Sequence, residues 1–214
     1  MYDFVTHTWN TVKGRCPHDC AYCYMKKWGE QPELHFDEKE LKTDLGSGNF
    51  IFVGSSCDMW ASGVSARWIA ETVNHCINAD HRDNKFLFQS KNPERFINWA
   101  FPEKTILGTT IETNRSYPEM GKAPTPLERA YFMNLTRKNG IKTMVTIEPI
   151  MMFDHNKLID MILACRPDWV NVGANTNHKV KLTEPAAHDI KSLIEDLKTF
   201  AEVKIKSNLK RLLK

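Results

Sequence analysis

No apolar run in the 214-residue chain approaches the ~20 residues that a membrane-spanning helix needs. The amino-terminal stretch MYDFVTHTWN also has no basic-then-apolar signal pattern. Both absences lead us to expect a cytoplasmic protein with no membrane partner. Strong charge is missing too: 29 Lys and Arg against 26 Asp and Glu leave a net +3, too mild to announce a general nucleic-acid binder. There is no low-complexity stretch or linker to divide the chain. With 42% hydrophobic residues, one domain over 1–214 is expected, with a core over about 3–175, a C-terminal helix, strand and basic tail over 183–214, and a monomeric state.

A Gly-rich phosphate loop is likewise absent, and what remains is alternation. Short β-rich runs at 4–9, 50–53, 85–89, 105–111, 143–147 and 169–172 read as strands of a parallel sheet. Between them, apolar residues recur on helical faces: Trp68, Ile69, Thr72, Val73, Cys76 and Ile77, then Leu158, Met161, Ile162 and Cys165, then Ile190, Leu193, Ile194 and Leu197. Asn92 before Pro93 reads as a helix start, as does Thr125 before Pro126 with Glu128 completing a capping box, and Gly140 as the stop of that second helix. A last β-like run occupies 202–208. Six βα units predict an α/β fold, a partial (β/α)6 barrel, because eight units need roughly 250 residues. Every strand run is followed by a polar stretch, which places candidate chemistry at the carboxyl ends.

The most concentrated signal is GRCPHDCAYCYMKKW at 14–28, in the loop after the first strand, which holds Cys16, Cys20 and Cys23, half of the six cysteines. In a reducing compartment clustered thiols are metal ligands or catalytic groups rather than disulfides. A structural zinc site is closed by four ligands, and here only His18 or His35 could supply the fourth. An iron-sulfur cube held by three cysteines instead leaves one iron open to a substrate or cofactor. His7, His75, His81, His155, His178 and His188 show no ligand spacing.

C-x-x-x-C-x-aromatic-C, carried by Cys16, Cys20, Tyr22 and Cys23, resembles the signature of the radical S-adenosylmethionine (radical SAM) superfamily. The resemblance implies a six-unit partial barrel whose three cysteines bind a 4Fe-4S cluster. The open iron chelates the amino and carboxylate groups of SAM. One electron, from a reductant such as flavodoxin or ferredoxin, splits SAM into methionine and a 5'-deoxyadenosyl radical that takes hydrogen from a substrate. Over roughly 5–175 the chain is similar to short phage and prophage radical SAM proteins of unassigned function, through Thr8-Trp9-Asn10, FVGSSCD, SKNPER, GTTIE and TIEPI. It departs from their pattern at Asn92 and at 172–175, which reads Val-Gly-Ala-Asn. Similarity to spore photoproduct lyase is more distant and confined to the cysteine loop and general layout.

The resemblance implies roles for the other strand ends. Ser55, Ser56 and Asp58 are expected at the SAM amino group, Lys91 at its carboxylate, Thr110 and Glu112 at the ribose, and Tyr22 at the adenine, with Ser90 and Asn175 as further contacts. Cys57 is a candidate hydrogen donor, Glu148 a candidate substrate contact, and Trp9, Trp28 and Trp60 candidates for the cavity wall. The phage likeness suggests a hypermodified pyrimidine, as a nucleotide or in DNA, held by the basic tail through Lys204, Lys206, Lys210 and Arg211. The competing expectations are a non-enzymatic nucleic-acid-binding protein with a structural zinc site, and a radical SAM enzyme acting on a peptide or small metabolite.

Overall fold

The β-rich runs assemble into one parallel sheet, each joined to the next through a crossover, as parallel pairing demands. The computed structural model describes residues 2–79, 83–137 and 140–214, so His81 lies outside the described residues. Among the described residues nine strands are formed: β1 His7–Trp9, β2 Val12–Lys13, β3 His35–Phe36, β4 Phe50–Val53, β5 Lys85–Ser90, β6 Thr105–Thr110, β7 Lys142–Ile147, β8 Trp169–Val172 and β9 Glu202–Ile205. Seven of them make the sheet, in the order β1-β4-β5-β6-β7-β8-β9. All six expected strands are present. The run at 202–208 supplies a seventh, β9, paired parallel to β8. β2 and β3 form a separate antiparallel ladder that pins the base of the cysteine loop, and two-residue strands are too short for periodicity to reveal.

The helices are α1 Ala66–Asn78, α2 Pro126–Thr136, α3 His155–Cys165 and α4 Ala187–Leu197. Their expected faces bury Ile69, Val73 and Cys76, then Leu158, Ile162 and Cys165, then Ile190, Leu193, Ile194 and Leu197. Ile77 instead sits at the edge of its stripe, 39% exposed. Both halves of the Thr125–Glu128 capping box are made. Two expectations need correction. Asn92–Pro93 opens only a single 3-10 turn, Pro93–Phe96, because Phe96 inserts edge-on against Trp60 and Arg95 is bound to the carbonyls of Ala61 and Val64. α2 already ends at Thr136, and Gly140, at φ +89°, lies just before β7 rather than at the helix stop.

The sheet's inner face curls around the amino terminus. Leu87, Ile106, Met144 and Trp169 of β5 to β8 are buried with Tyr2, and Phe50 and Phe52 of β4 pack on them. Phe4 stacks on Tyr2 at 5.2 Å. This aromatic plug is why β1 begins at His7 and not at residue 4. Gly108 of β6 leaves the space that Met144 fills, since a Cβ there would approach its Cε within 2.9 Å. The amino ends of the strands are thereby closed with apolar side chains, and only the carboxyl ends remain open.

Candidate active site

At the carboxyl ends lies a cavity of about 590 Å³, within the range of small-molecule sites. The cysteine loop, the turns after β4 and β5, and the segments after β7, β8 and β9 all contribute to its lining. Cys16, Cys20 and Cys23 line it together, as do Tyr22, Ser55, Ser56, Cys57, Asp58, Ser90, Lys91, Thr110, Glu148 and Asn175. Among the expected cofactor residues Glu112 alone does not.

The loop is held from several sides. Asn10 Oδ1 accepts from the Ser56 amide at 2.9 Å and from Ser55 Oγ at 3.3 Å, while Tyr24 donates to the Ser55 carbonyl at 2.7 Å. The turn at 118–122 docks beneath: Lys122 N–H donates to His18 O at 2.7 Å and Ala21 N–H to Glu119 O at 2.8 Å. Gly121 is required there, because a Cβ would lie 2.3 Å from the His18 carbonyl oxygen and φ is +64°. Asn177 Nδ2 reaches the Cys23 carbonyl at 3.3 Å.

Asp58 was expected to meet the SAM amino group directly. Instead four protein donors occupy its carboxylate: His18 Nε2 at 2.8 Å, Ser90 Oγ at 2.9 Å and the Lys91 amide at 2.8 Å on Oδ2, and the Trp60 amide at 3.0 Å on Oδ1. Burial works to raise its pKa, but the His18 charge and these hydrogen bonds hold it below the usual carboxylate range. Asp58 therefore ties the cysteine loop to the turns after β4 and β5. Ser90 Oγ serves that same tie.

Glu112 is also displaced from its expected role. Its side chain is fully buried, with Oε1 accepting from Lys91 Nζ at 2.6 Å and Tyr22 OH at 2.5 Å, and Oε2 from Arg129 Nη1 at 2.7 Å. Burial would raise this carboxyl, yet Arg129, Lys91 and the hydrogen bonds from Lys91 and Tyr22 bring it down to about 2. Lys91 remains an ammonium despite its burial because Glu112 faces it, and its Nζ also lies 4.4 Å over the Tyr22 ring. This network locks Tyr22 beside the cysteines. A pH consequence follows with a definite sign. A carboxyl depressed in the fold contributes stability that is complete above about pH 4.5 and is lost as pH falls toward about 2. Urea melts repeated down the acid range should show that loss in the parent protein and much less of it in Glu112→Gln.

The remaining expectations divide. Thr110 lines the cavity, and its Oγ1 accepts from Gln89 Nε2 at 2.9 Å. Asn175 uses its amide on its own loop, at Asn177 and Val180. Cys57 and Cys16 share the cavity wall, and interaction between the two thiols is the largest influence lowering that of Cys16, to about 6, and raising that of Cys57. None of the three tryptophans walls the cavity. Trp9 packs on His75, Trp60 centres an aromatic cluster with Phe88, Phe96, Trp99 and Phe101, and Trp28 is 78% exposed.

The expected basic tail divides: Lys204 and Lys206 are half-buried, whereas Lys210 and Arg211 are exposed. Lys204 lies over the rings of Phe4 and Trp169, Lys206 pairs with Glu148 at 2.6 Å, and Arg211 pairs with Glu184. As for zinc, His18 is committed to Asp58 and His35 to the Glu33 carbonyl. Among the described residues no three His, Cys, Asp or Glu side chains converge where one metal ion could sit. A cluster makes a different demand, since each thiolate meets a different iron and the sulfurs need only border a common space. Three cysteines on one cavity fit that demand.

The architecture is a mixed α/β partial barrel with a seven-stranded parallel sheet, a fold shared with solved structures. In particular, it is similar to a spore photoproduct lyase variant with bound AdoMet and dinucleoside spore photoproduct, with a TM-score of 0.65 and 10% identity over 92% of this chain and 75% of that one. It is also similar to Streptococcus suis SuiB bound to precursor peptide SuiA, with a TM-score of 0.65 and 10% identity over 97% of this chain and 50% of that one. A SuiB structure bound to S-adenosylmethionine matches with a TM-score of 0.55 and 12% identity, over 95% of this chain and 48% of that one. At such identities the likeness is one of fold. No family model and no curated protein matches the sequence. No helix among the described residues is long and apolar enough to cross a membrane.

Proposed function

We propose that the chain is a radical SAM enzyme. The observation that carries this reading is the convergence of Cys16, Cys20 and Cys23 on the one cavity at the carboxyl ends of a parallel partial barrel. These three residues would hold a 4Fe-4S cluster, and the cavity beside them has room for SAM and part of a substrate. Cluster and SAM together supply reductive cleavage of SAM and a carbon-centred radical for hydrogen abstraction, given an electron from a donor such as flavodoxin or ferredoxin.

The protein's own contribution is placement. The ties from Asp58 to His18, Ser90 and the Lys91 amide hold the loop, and the Glu112 network orients Tyr22 and Lys91. Ser55, Ser56 and Thr110 offer hydroxyls toward the cofactor, and Asn175 shapes the wall. Cys57 is the one cysteine outside the motif on the cavity, where it can return a hydrogen atom, whereas Cys76 and Cys165 are buried in α1 and α3. One structural neighbour is bound to a dinucleoside and the other to a peptide, so the two divide on substrate class. A hypermodified pyrimidine in phage DNA has the sequence resemblance as its support, together with the exposed Lys210 and Arg211 of the tail. The test is anaerobic purification and reconstitution, followed by dithionite and SAM. A brown protein that releases 5'-deoxyadenosine is expected. A colourless protein that takes up zinc and leaves SAM intact would refute the reading.

A further inference from the structure

The cavity contains a second polar cluster that the placement of cluster and SAM does not use. Glu148 follows β7, and its carboxylate lies flat on the backbone after β8, where a Cβ on Gly173 would come within 2.8 Å of Cδ. Asn208 holds it there: Nδ2 donates to Glu148 Oε1 at 2.6 Å and to Ala174 O at 3.0 Å, while Oδ1 accepts from the Ala174 amide at 3.2 Å. Lys206 Nζ donates to Glu148 Oε2 at 2.6 Å and lies 4.8 Å above the Tyr2 ring. Glu148, Lys206 and Asn208 all line the cavity, and the side chains of the first two are only 19% and 20% exposed.

The spare hydrogen-bonding capacity of this pair indicates what it can read. A carboxylate has about four lone-pair sites and an ammonium three donors. Lys206 and Asn208 use two of the former, and Glu148 uses one of the latter. A neutral pair is left that presents an acceptor and a donor side by side. Its complement is a group with N–H and C=O on the same side, a cis-amide edge. A trans peptide bond points the two in opposite directions. A carboxylate or phosphate has no donor for Glu148 and would repel it.

We propose that the substrate is recognised through a cis-amide edge, the lactam of a nucleobase or a primary carboxamide, with its N–H on Glu148 and its C=O on Lys206. Asn208 and Gly173 act as positioning residues. The inference rests on reading this cavity as the substrate site of a radical SAM enzyme.

The test is calorimetric titration of the anaerobically reconstituted protein, with SAM present, using thymidine and nicotinamide as probes. Their N-methylated counterparts, N3-methylthymidine and N,N-dimethylnicotinamide, and the trans-amide compound N-acetylalanine N-methylamide are the controls. At least one probe should bind, and which one does so distinguishes lactam from carboxamide. Its methylated counterpart should bind at least about tenfold more weakly, the effect of losing one hydrogen bond to a charged group. Lys206→Met should weaken the probe by about as much, with partial recovery in Lys206→Arg. A SAM titration of each protein reports the cofactor site separately. If the parent takes SAM but binds neither probe, or binds probe and methylated counterpart alike, or prefers the trans-amide compound, this inference is overturned. If it takes no SAM, the functional reading itself is what fails.

Discussion

Replacing any one of Cys16, Cys20 and Cys23 by Ala is expected to abolish both the iron-sulfur cluster and SAM cleavage. Each thiolate would hold its own iron, so the remaining two cannot compensate. The nearest substitute, Cys57, shares the cavity wall with Cys16. Iron and acid-labile sulfide should fall to background in all three variants, and 5'-deoxyadenosine should be undetectable. Cys76→Ala and Cys165→Ala are the controls. Both thiols are fully buried in helices, so these variants should keep the parent's iron content and lose about 1 kcal/mol in packing. A motif variant that retains full activity would sink the assignment.

The second large effect belongs to Glu112. Its carboxylate is the counter-charge shared by Arg129 and Lys91, and neither Glu112 nor Arg129 has any exposed side-chain surface. Glu112→Ala leaves the fully buried Arg129 without its carboxylate and facing the half-buried Lys91, and breaking a buried pair in this way costs about 3–5 kcal/mol. The Tyr22 hydroxyl loses its acceptor at the same time, so the cysteine loop should loosen. We expect a large drop in the urea midpoint, together with faster loss of the reconstituted cluster on dilution. Arg129→Met should cost less than Glu112→Ala, since Lys91 still neutralises the carboxylate. A Glu112→Ala protein within about 1 kcal/mol of the parent would show that the network contributes little to stability.

The pattern of these effects mirrors what could be read before folding. Strand and helix positions were legible because each element's burial is written locally: the continuous apolar run Phe86-Leu87-Phe88 in β5, buried on both faces of a parallel sheet, and the 3.6-residue stripe of Ile69, Val73 and Cys76 in α1. The cysteine spacing was legible because the ligands are local. The Thr125–Glu128 cap was legible for the same reason, since both of its hydrogen bonds close within four residues.

What only the tertiary structure decided is where polar side chains at the strand ends point. Glu112 and Asp58 read equally well as cofactor contacts, yet Glu112 meets Arg129 from α2 and Lys91 from beyond β5, and Asp58 meets His18 from the cysteine loop. A carboxylate's partner is chosen by the neighbouring strand and not by the neighbouring residue, so no spacing announces it. Lys204 and Lys206 read as part of one basic run, yet β9 adds to the sheet beside β8 and turns these two lysines onto Trp169 and Glu148, while Lys210 and Arg211 stay exposed. By itself the sequence determined the strands of the sheet, the helical stripes, the thiol motif and the end of the barrel where the cavity opens. Pairing across the sheet decided which charges face the cavity and which are used up in holding it, because burial leaves no charge without its partner.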